Sequence, residues 1–232
     1  MGFFRLTPLE WEAFKLSLWV AFWAVSASLP IGIFTAWVLS RCRFPGKGVL
    51  DGLIHLPLVL PPVVTGYLLL ILFGRKGIVG KFLYDTLGIT IAFTWKGAAL
   101  ASAVMAFPLL VRAVRLSVDA VDQGLEDAAR TLGAGRPRVF FTINLPLMVP
   151  GIITGIILAF ARSLGEFGAT ITFVSNIQGE TQTLPLALYS LTQVPNGEGG
   201  ALRLCAIAVI LAMAALLISE WMSRRFAAYM KG

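Results

Sequence analysis

Five apolar stretches, each long enough to cross a lipid bilayer, limit the folds that this chain can adopt. They cover approximately residues 16–40, 52–74, 88–111, 145–165 and 202–222. The hydrocarbon core of a bilayer needs about 20 consecutive apolar residues per helix. Because backbone polar groups in lipid must bond within their own segment, such stretches form helices. The sequence therefore predicts an all-α polytopic membrane protein with about five transmembrane helices, and one transmembrane domain over residues 1–232.

The composition supports a membrane protein over a soluble one. The chain is 57% hydrophobic and 13% charged, whereas a soluble domain carries about 25% charged residues. The net charge of +7 does not indicate nucleic-acid binding, since the basic residues lie in short clusters beside the apolar stretches. The first stretch, from Leu16 to Ser40, has no charge and exceeds the length of a signal-peptide core. We expect it to be retained as a span.

The basic residues also predict the orientation. With five spans, one side of the membrane receives eleven Lys and Arg residues and the other receives eight. The richer side holds the loop after the first span, the loop between the third and fourth spans, and the C-terminus. Because cytoplasmic loops carry an excess of basic residues, the N-terminus is predicted outside and the C-terminus in the cytoplasm.

Prolines and small residues predict bends and close helix packing. Four prolines interrupt the second and third spans, where each removes a backbone donor: Pro57, Pro61, Pro62 and Pro108. Gly151, Gly155 and Ala159 recur every four positions in the fourth span and predict a groove for another helix, although glycine is common in membrane helices generally. Residues 166–200 mix apolar and polar positions. They predict the end of the fourth helix and an external loop with a partial or interfacial helix.

A polar run between the third and fourth spans predicts a short amphipathic helix. Leu125, Ala128, Ala129 and Leu132 share one helical face, and Glu126, Asp127 and Arg130 take the other side. Asp122 is suited to cap the start, and Gly133 to supply a left-handed residue at the end. A helix this short is marginal alone, so its apolar stripe is expected to dock on something.

The sequence offers no catalytic or metal-binding constellation. His55 is the single histidine, and Cys42 and Cys205 are far apart. The Gly74–Phe82 run has the wrong spacing for a phosphate-binding loop. The chain is therefore predicted not to be an enzyme, with no metal site and no cofactor of its own. Any energy from ATP and magnesium must be used by a partner subunit.

One charged pair borders the fourth span. Arg162 and Glu166 lie four residues apart and hence on one helix face. Ionisable residues within membranes are candidates for a transport pathway, but an ion pair that only joins helices is the alternative. Polar side chains near them could add to a pathway lining: Thr65, Tyr67, Ser163, Thr170 and Thr172.

The polar loop resembles the cytoplasmic signature of ABC importer permeases. That signature reads Glu-Ala-Ala, three residues, Gly, nine residues, Ile-x-Leu-Pro. Here Asp127-Ala128-Ala129, Gly133 and Ile143-x-Leu145-Pro146 keep the spacing. Asp127 replaces the family glutamate and Glu126 precedes it, so which acid has the family role stays open. The resemblance implies a type I importer permease whose loop at about 113–146 forms coupling helices. It implies that these residues contact an ATPase: Leu125, Glu126, Asp127, Ala128, Ala129, Gly133, Ile143, Leu145 and Pro146.

Further motifs are similar to the permeases of molybdate importers. They are the runs 43–47, 55–64, 129–133 and 161–170. The resemblance implies a homodimer in the bacterial inner membrane, two ATPase copies, and a periplasmic or extracellular binding protein that delivers molybdate or tungstate. Sulfate and thiosulfate permeases are the nearest alternative. Within this hypothesis, Arg162, Ser163, Glu166 and Thr170 are the candidate pathway residues. A passive channel, an ion-coupled transporter or a membrane-embedded enzyme are rival classes.

Overall fold

The computed structural model describes residues 6–229. Arg5 and Lys231, which were counted for the orientation, lie outside the described residues, as do both ends of the predicted domain. The described part is helical. Its elements are α1 (Pro8–Arg41), α2 (Lys47–Val59), α3 (Pro62–Phe73), α4 (Ile78–Leu87), α5 (Trp95–Ala120), α6 (Gln123–Thr131), α7 (Arg136–Val139), a π-helical segment (Phe140–Asn144), α8 (Leu145–Leu164), α9 (Gly168–Val174), α10 (Leu184–Thr192) and α11 (Glu198–Tyr229).

Four continuous helical stretches in the described part are long and apolar enough to cross a membrane: α1, α5, Pro137–Leu164 and Glu198–Met222. Helices α2 and α3, bent by 115° at the break between them, make a fifth candidate if they count together as one broken span. The prediction of an all-α protein with about five spans is confirmed. The sharp break lies where Pro61 and Pro62 follow one another, while the helices continue through Pro57 and Pro108.

The core forms around α5, which packs between α1 and α8. Leu110, Val111 and Val114 of α5 are fully buried there. The small residues of α8 permit this close approach, because a Cβ at Gly151 would collide with the Ser117 side chain of α5. Ala159 is buried on the same side. The predicted groove on the fourth span therefore receives α5, as small residues at helix interfaces commonly allow.

The region 166–200 is more ordered than predicted. It contains two short helices, α9 and α10, and both are packed into the bundle: α9 against α3 and α5, α10 against α1 and α11. Phe173 and Leu186 are fully buried, and the Leu184 N–H donates to Ser17 Oγ of α1 at 2.6 Å. The partial helix expected in this region is present as α10, whereas α9 is a separate short helix and not the end of the fourth helix, since α8 ends at Leu164.

Candidate functional site

The loop between the third and fourth spans begins later than predicted. Helix α5 continues to Ala120 instead of ending near residue 111. Val114 and Val118 extend its buried face by two further turns, so Arg112 and Arg115 do not end the helix. The loop itself therefore starts at Val121.

Helix α6 has the ends that the sequence predicts. The Gly124 N–H donates to Asp122 Oδ1 at 2.8 Å, so Asp122 caps the start. Gly133 has φ +85°, the left-handed conformation that glycine adopts without a Cβ clash. The Ala134 N–H bonds to the Ala129 carbonyl at 3.0 Å and closes the last turn. The helix is thus defined by its own sequence at both ends.

Helix α6 buries one polar side chain and leaves its apolar stripe exposed. Glu126 is its buried residue. By contrast, Leu125 is 50% exposed and Leu132 is 89% exposed, and Ala128 is exposed as well. An amphipathic helix normally buries the apolar face, so this reversed arrangement leaves the stripe available for another subunit.

Arg41 holds α6 against the bundle, and sequence reasoning missed this role because Arg41 was counted only as an orientation charge. Its Nη2 lies 2.9 Å from Glu126 Oε1 as an ion pair, and it donates to the Val121 carbonyl at 3.0 Å. Arg130 approaches Glu126 to 3.4 Å from within α6. A basic residue in the last turn of α1 and two consecutive acids in the loop are the signal that could have suggested the pair.

The second half of the signature lies away from the exposed stripe. Ile143 and Leu145 are half-buried at the junction of the π-helical segment and α8, and Leu145 packs against the core around α5. Pro146 is exposed in the first turn of α8. This segment connects the loop to α8 and so returns the chain to the helix bundle. Their contact with an ATPase remains a prediction.

The candidate pathway residues come together at the break between α8 and α9. Arg162 Nη1 lies 2.7 Å from Glu166 Oε2, with Glu166 1% exposed and Arg162 27% exposed in their side chains. Glu166 Oε1 also accepts the Ala169 N–H at 2.7 Å, so one carboxylate joins the two helices. Thr170 is fully buried and donates to the Phe167 carbonyl at 2.8 Å, while the buried Ser163 Oγ has no hydrogen-bond partner among the described residues.

This junction is packed against the broken second span. A Cβ at Gly168 would meet Pro62 Cβ, and one at Gly66 would meet the Ala169 carbonyl. Of the charged pair, Arg162 keeps the larger accessible surface, and Glu166 is held inside. The geometry fits both a pathway cation and a helix-joining ion pair.

Among the described residues, no group of three or more His, Cys, Asp or Glu side chains is placed to hold a metal ion. A cavity of about 370 Å³ is lined mainly by ionisable side chains: Asp51, His55, Arg112, Arg115, Leu116 and Asp119. Its acids and bases pair with one another, as Arg115 Nη1 and Asp51 Oδ1 do at 2.9 Å. This ion pair joins α5 to α2.

Comparison with known proteins gives consistent results. The model of the family described as binding-protein-dependent transport system inner membrane component matches residues 28–228. The molybdenum transport system permease protein ModB of Escherichia coli (strain K12) is 67% identical over 219 residues, which cover 94% of this chain and 96% of that protein. The sulfate transport system permease protein CysT of Salmonella typhimurium (strain LT2) is 38% identical over 211 residues, 91% of this chain and 74% of that one.

A solved structure supports the architecture. A bacterial ABC transporter involved in the import of the acidic polysaccharide alginate superposes with a TM-score of 0.74 at 18% identity, over 95% of this chain and 80% of that chain. This likeness shows a shared fold, that of ABC importer transmembrane subunits. In such systems ATP is hydrolysed by a separate subunit, and the permease binds no cofactor of its own. By the family match and the extent of identity, the chain belongs to the binding-protein-dependent transport system inner membrane components.

Proposed function

We propose that this chain is the permease subunit that carries molybdate, with tungstate as an alternative cargo, across the cytoplasmic membrane. Two copies form the pathway at their interface, and two copies of an ATPase subunit drive it. A periplasmic or extracellular binding protein delivers the oxyanion. The observation that carries the proposal is the capped helix α6, whose apolar stripe faces away from its own protein.

The outward stripe supports docking on an ATPase. Leu125 and Leu132 would lose water-accessible surface in a cleft of a partner, which favours association. Asp127, whose side chain is 73% exposed, lies beside them and can meet a cation of that partner. Gly133 ends the helix without a side chain at the edge of the stripe. A helix laid into a groove by its apolar residues is a common recognition mode.

The position of α6 fits an orientation with the N-terminus outside and the C-terminus in the cytoplasm. The end of α1, the start of α2 and the end of α5 lie at the same end of the bundle as α6, since Arg41 pairs with Glu126 and Arg115 with Asp51. This end includes basic residues such as Arg43 and Lys47. Such enrichment is typical of the cytoplasmic side.

A second copy accounts for surface that a single protomer leaves open. Helix α2 has no buried residue in the protomer, and Val63, Val64 and Tyr67 of α3 are exposed. These helices form the broken span, and broken helices are tolerated where protein or a water-filled cavity surrounds them. We place the pathway between two such spans, one from each copy.

Arg162 supplies a positive charge near this pathway. A dianion crossing a region of low dielectric constant needs compensation by cations, hydroxyls or helix N-termini. Glu166 and Thr170 hold the α8–α9 junction that positions Arg162, and Ser163 adds a hydroxyl with no hydrogen-bond partner in the described part of the chain. ATP-driven closure of the ATPases would move the two bundles between inward-open and outward-open arrangements.

The identity of the cargo is tested by competition uptake. The complete transporter is reconstituted into vesicles with its binding protein. ATP-dependent uptake of labelled molybdate is then measured in the presence of unlabelled tungstate or sulfate. We expect tungstate to compete and sulfate to compete poorly, because identity is higher to the molybdenum permease than to the sulfate permease. Preferred uptake of sulfate would transfer the assignment to the sulfate class, and uptake without ATP would refute the coupled mechanism.

A further inference from the structure

The contact between α1 and α6 depends on one desolvated ion pair. Arg41 lies in the last turn of α1, and Glu126 is the buried residue of α6. Their side chains are only 12% and 9% exposed, and Arg41 also donates to the Val121 carbonyl just before α6. Because the apolar stripe of α6 faces outward, this pair is its main attachment to the first span.

The pair continues into a network that reaches two further helices. Ser40, next to Arg41, donates to Asp119 Oδ1 near the end of α5. Arg115 of α5 lies 3.8 Å from Asp119 and 2.9 Å from Asp51 of α2. Ends of α1, α5 and α2 are thus joined at one level of the bundle, directly beside α6.

The two consecutive acids of α6 have different surroundings. Glu126 is turned inward to Arg41, whereas Asp127 is exposed and approaches only Arg130 of its own helix, at 3.7 Å. Exposed pairs of this kind contribute little to stability. The acid that stands at the signature position is therefore free to meet a partner, and the preceding acid is committed within the chain.

We propose that Arg41 and Glu126 are positioning residues that transmit the movement of α6 to the transmembrane bundle, whereas Asp127 contacts the ATPase. This inference rests on the proposed function of α6. When the ATPase shifts α6, the Arg41–Glu126 pair pulls the end of α1, and the Ser40–Asp119–Arg115–Asp51 network carries α5 and α2 with it. A pair shielded from water keeps its distance and direction better than one exposed to solvent.

The test measures coupling separately from assembly. The complete transporter, with its ATPase and binding protein, is reconstituted into vesicles, and ATP hydrolysis and molybdate uptake are recorded in the same preparation. The variants are Arg41→Glu, Glu126→Arg and the double reversal. We expect each single variant to lower the molybdate imported per ATP hydrolysed by about five- to tenfold, within the usual range for coupling between sites. The double reversal should restore only part of the ratio, because Arg130 stays beside position 126 and the donation from position 41 to the Val121 carbonyl is lost.

Asp127→Asn serves as the matched control on the neighbouring acid. It should weaken binding of the ATPase while the complexes that do form keep the wild-type ratio of uptake to hydrolysis. A purely structural role for Arg41 would lower the amount of assembled transporter and leave that ratio unchanged.

A neutral pair covers the case in which the single charge reversals do not assemble. Arg41→Gln together with Glu126→Gln leaves no buried charge unpaired, so this variant should assemble and still show the lowered ratio. A wild-type ratio in the neutral pair, or in an assembled single reversal, would overturn the inference. Failure of the proposed function has a different outcome, since the unaltered transporter would then show no ATP-driven molybdate uptake.

Discussion

Leu132, the residue that follows α6, should contribute more to ATPase binding than the other apolar side chains of the stripe. It is 89% exposed in the protomer, so nearly all of its surface is available to be buried by a partner. Full burial of a leucine side chain is worth about 1.5–3 kcal/mol. Leu132→Ala should therefore remove about 1.5–2 kcal/mol of binding free energy, or about 10- to 30-fold in Kd.

Leu125→Ala provides a comparison for the predicted loss of binding free energy in Leu132→Ala. Leu125 is 50% exposed, so about half of its surface is already covered in the free protomer. Leu125→Ala should cost about 1 kcal/mol of binding free energy, or about fivefold in Kd. The ratio between the two variants is more informative than either value alone, because both are measured on the same helix.

The assay is equilibrium binding of the purified ATPase to the permease in lipid nanodiscs. Ile78, which is 85% exposed at the start of α4, offers a matched control on a helix that packs against α3. Ile78→Ala should leave the Kd unchanged, and Leu132→Ala should change the free energy of unfolding of the permease by less than about 0.5 kcal/mol. Equal effects of Leu132→Ala and Ile78→Ala, or a larger effect of Leu125→Ala, would refute docking through the outward stripe.

Three further changes test the loop, the pathway and the core. Gly133→Val should abolish most ATP-driven uptake without reducing membrane insertion, because a β-branched residue at φ +85° is strained by about 1–2 kcal/mol. Gly133→Asn should have a smaller effect. Uptake and the amount of inserted protein are measured in the same preparation. Arg162→Gln with Glu166→Gln should assemble yet transport poorly, as judged by uptake per assembled transporter; normal uptake would leave the pair a helix-joining role. Gly151→Ala should destabilise the fold by about 1–3 kcal/mol, and Ser117→Gly should relieve part of that loss in thermal unfolding.

The elements that local rules govern could be predicted from the sequence. Asp122 and Gly133 lie at the ends of α6 because a carboxylate cap and a left-handed glycine are local requirements. The prolines at positions 61 and 62 break the second span for a similarly local reason: Leu60 and Pro61 each precede a proline, which disfavours the helical conformation, and both have extended backbones. In these cases the neighbours along the chain decide the outcome.

Features that depend on contacts distant in sequence could not be predicted in the same way. The spacing of the apolar residues identifies the stripe of α6. It does not predict whether the stripe packs against the same chain or against another one. That direction follows from Arg41, which is about 80 residues away along the chain. The packing of α9 and α10 likewise depends on spaces left by α1, α3 and α5, so their segment looked like an external loop.

The attachment of α6 explains how a helix that we propose docks on an ATPase can be both exposed and firmly placed. A helix held by its apolar face would have no such face left for a partner, and a helix held by nothing would transmit no force. Glu126 resolves this conflict, because a single buried carboxylate fixes the polar side to Arg41 while the leucines remain outside. Consecutive acids at positions 126 and 127 are therefore not redundant: one faces the bundle, and the other extends the surface offered to a partner.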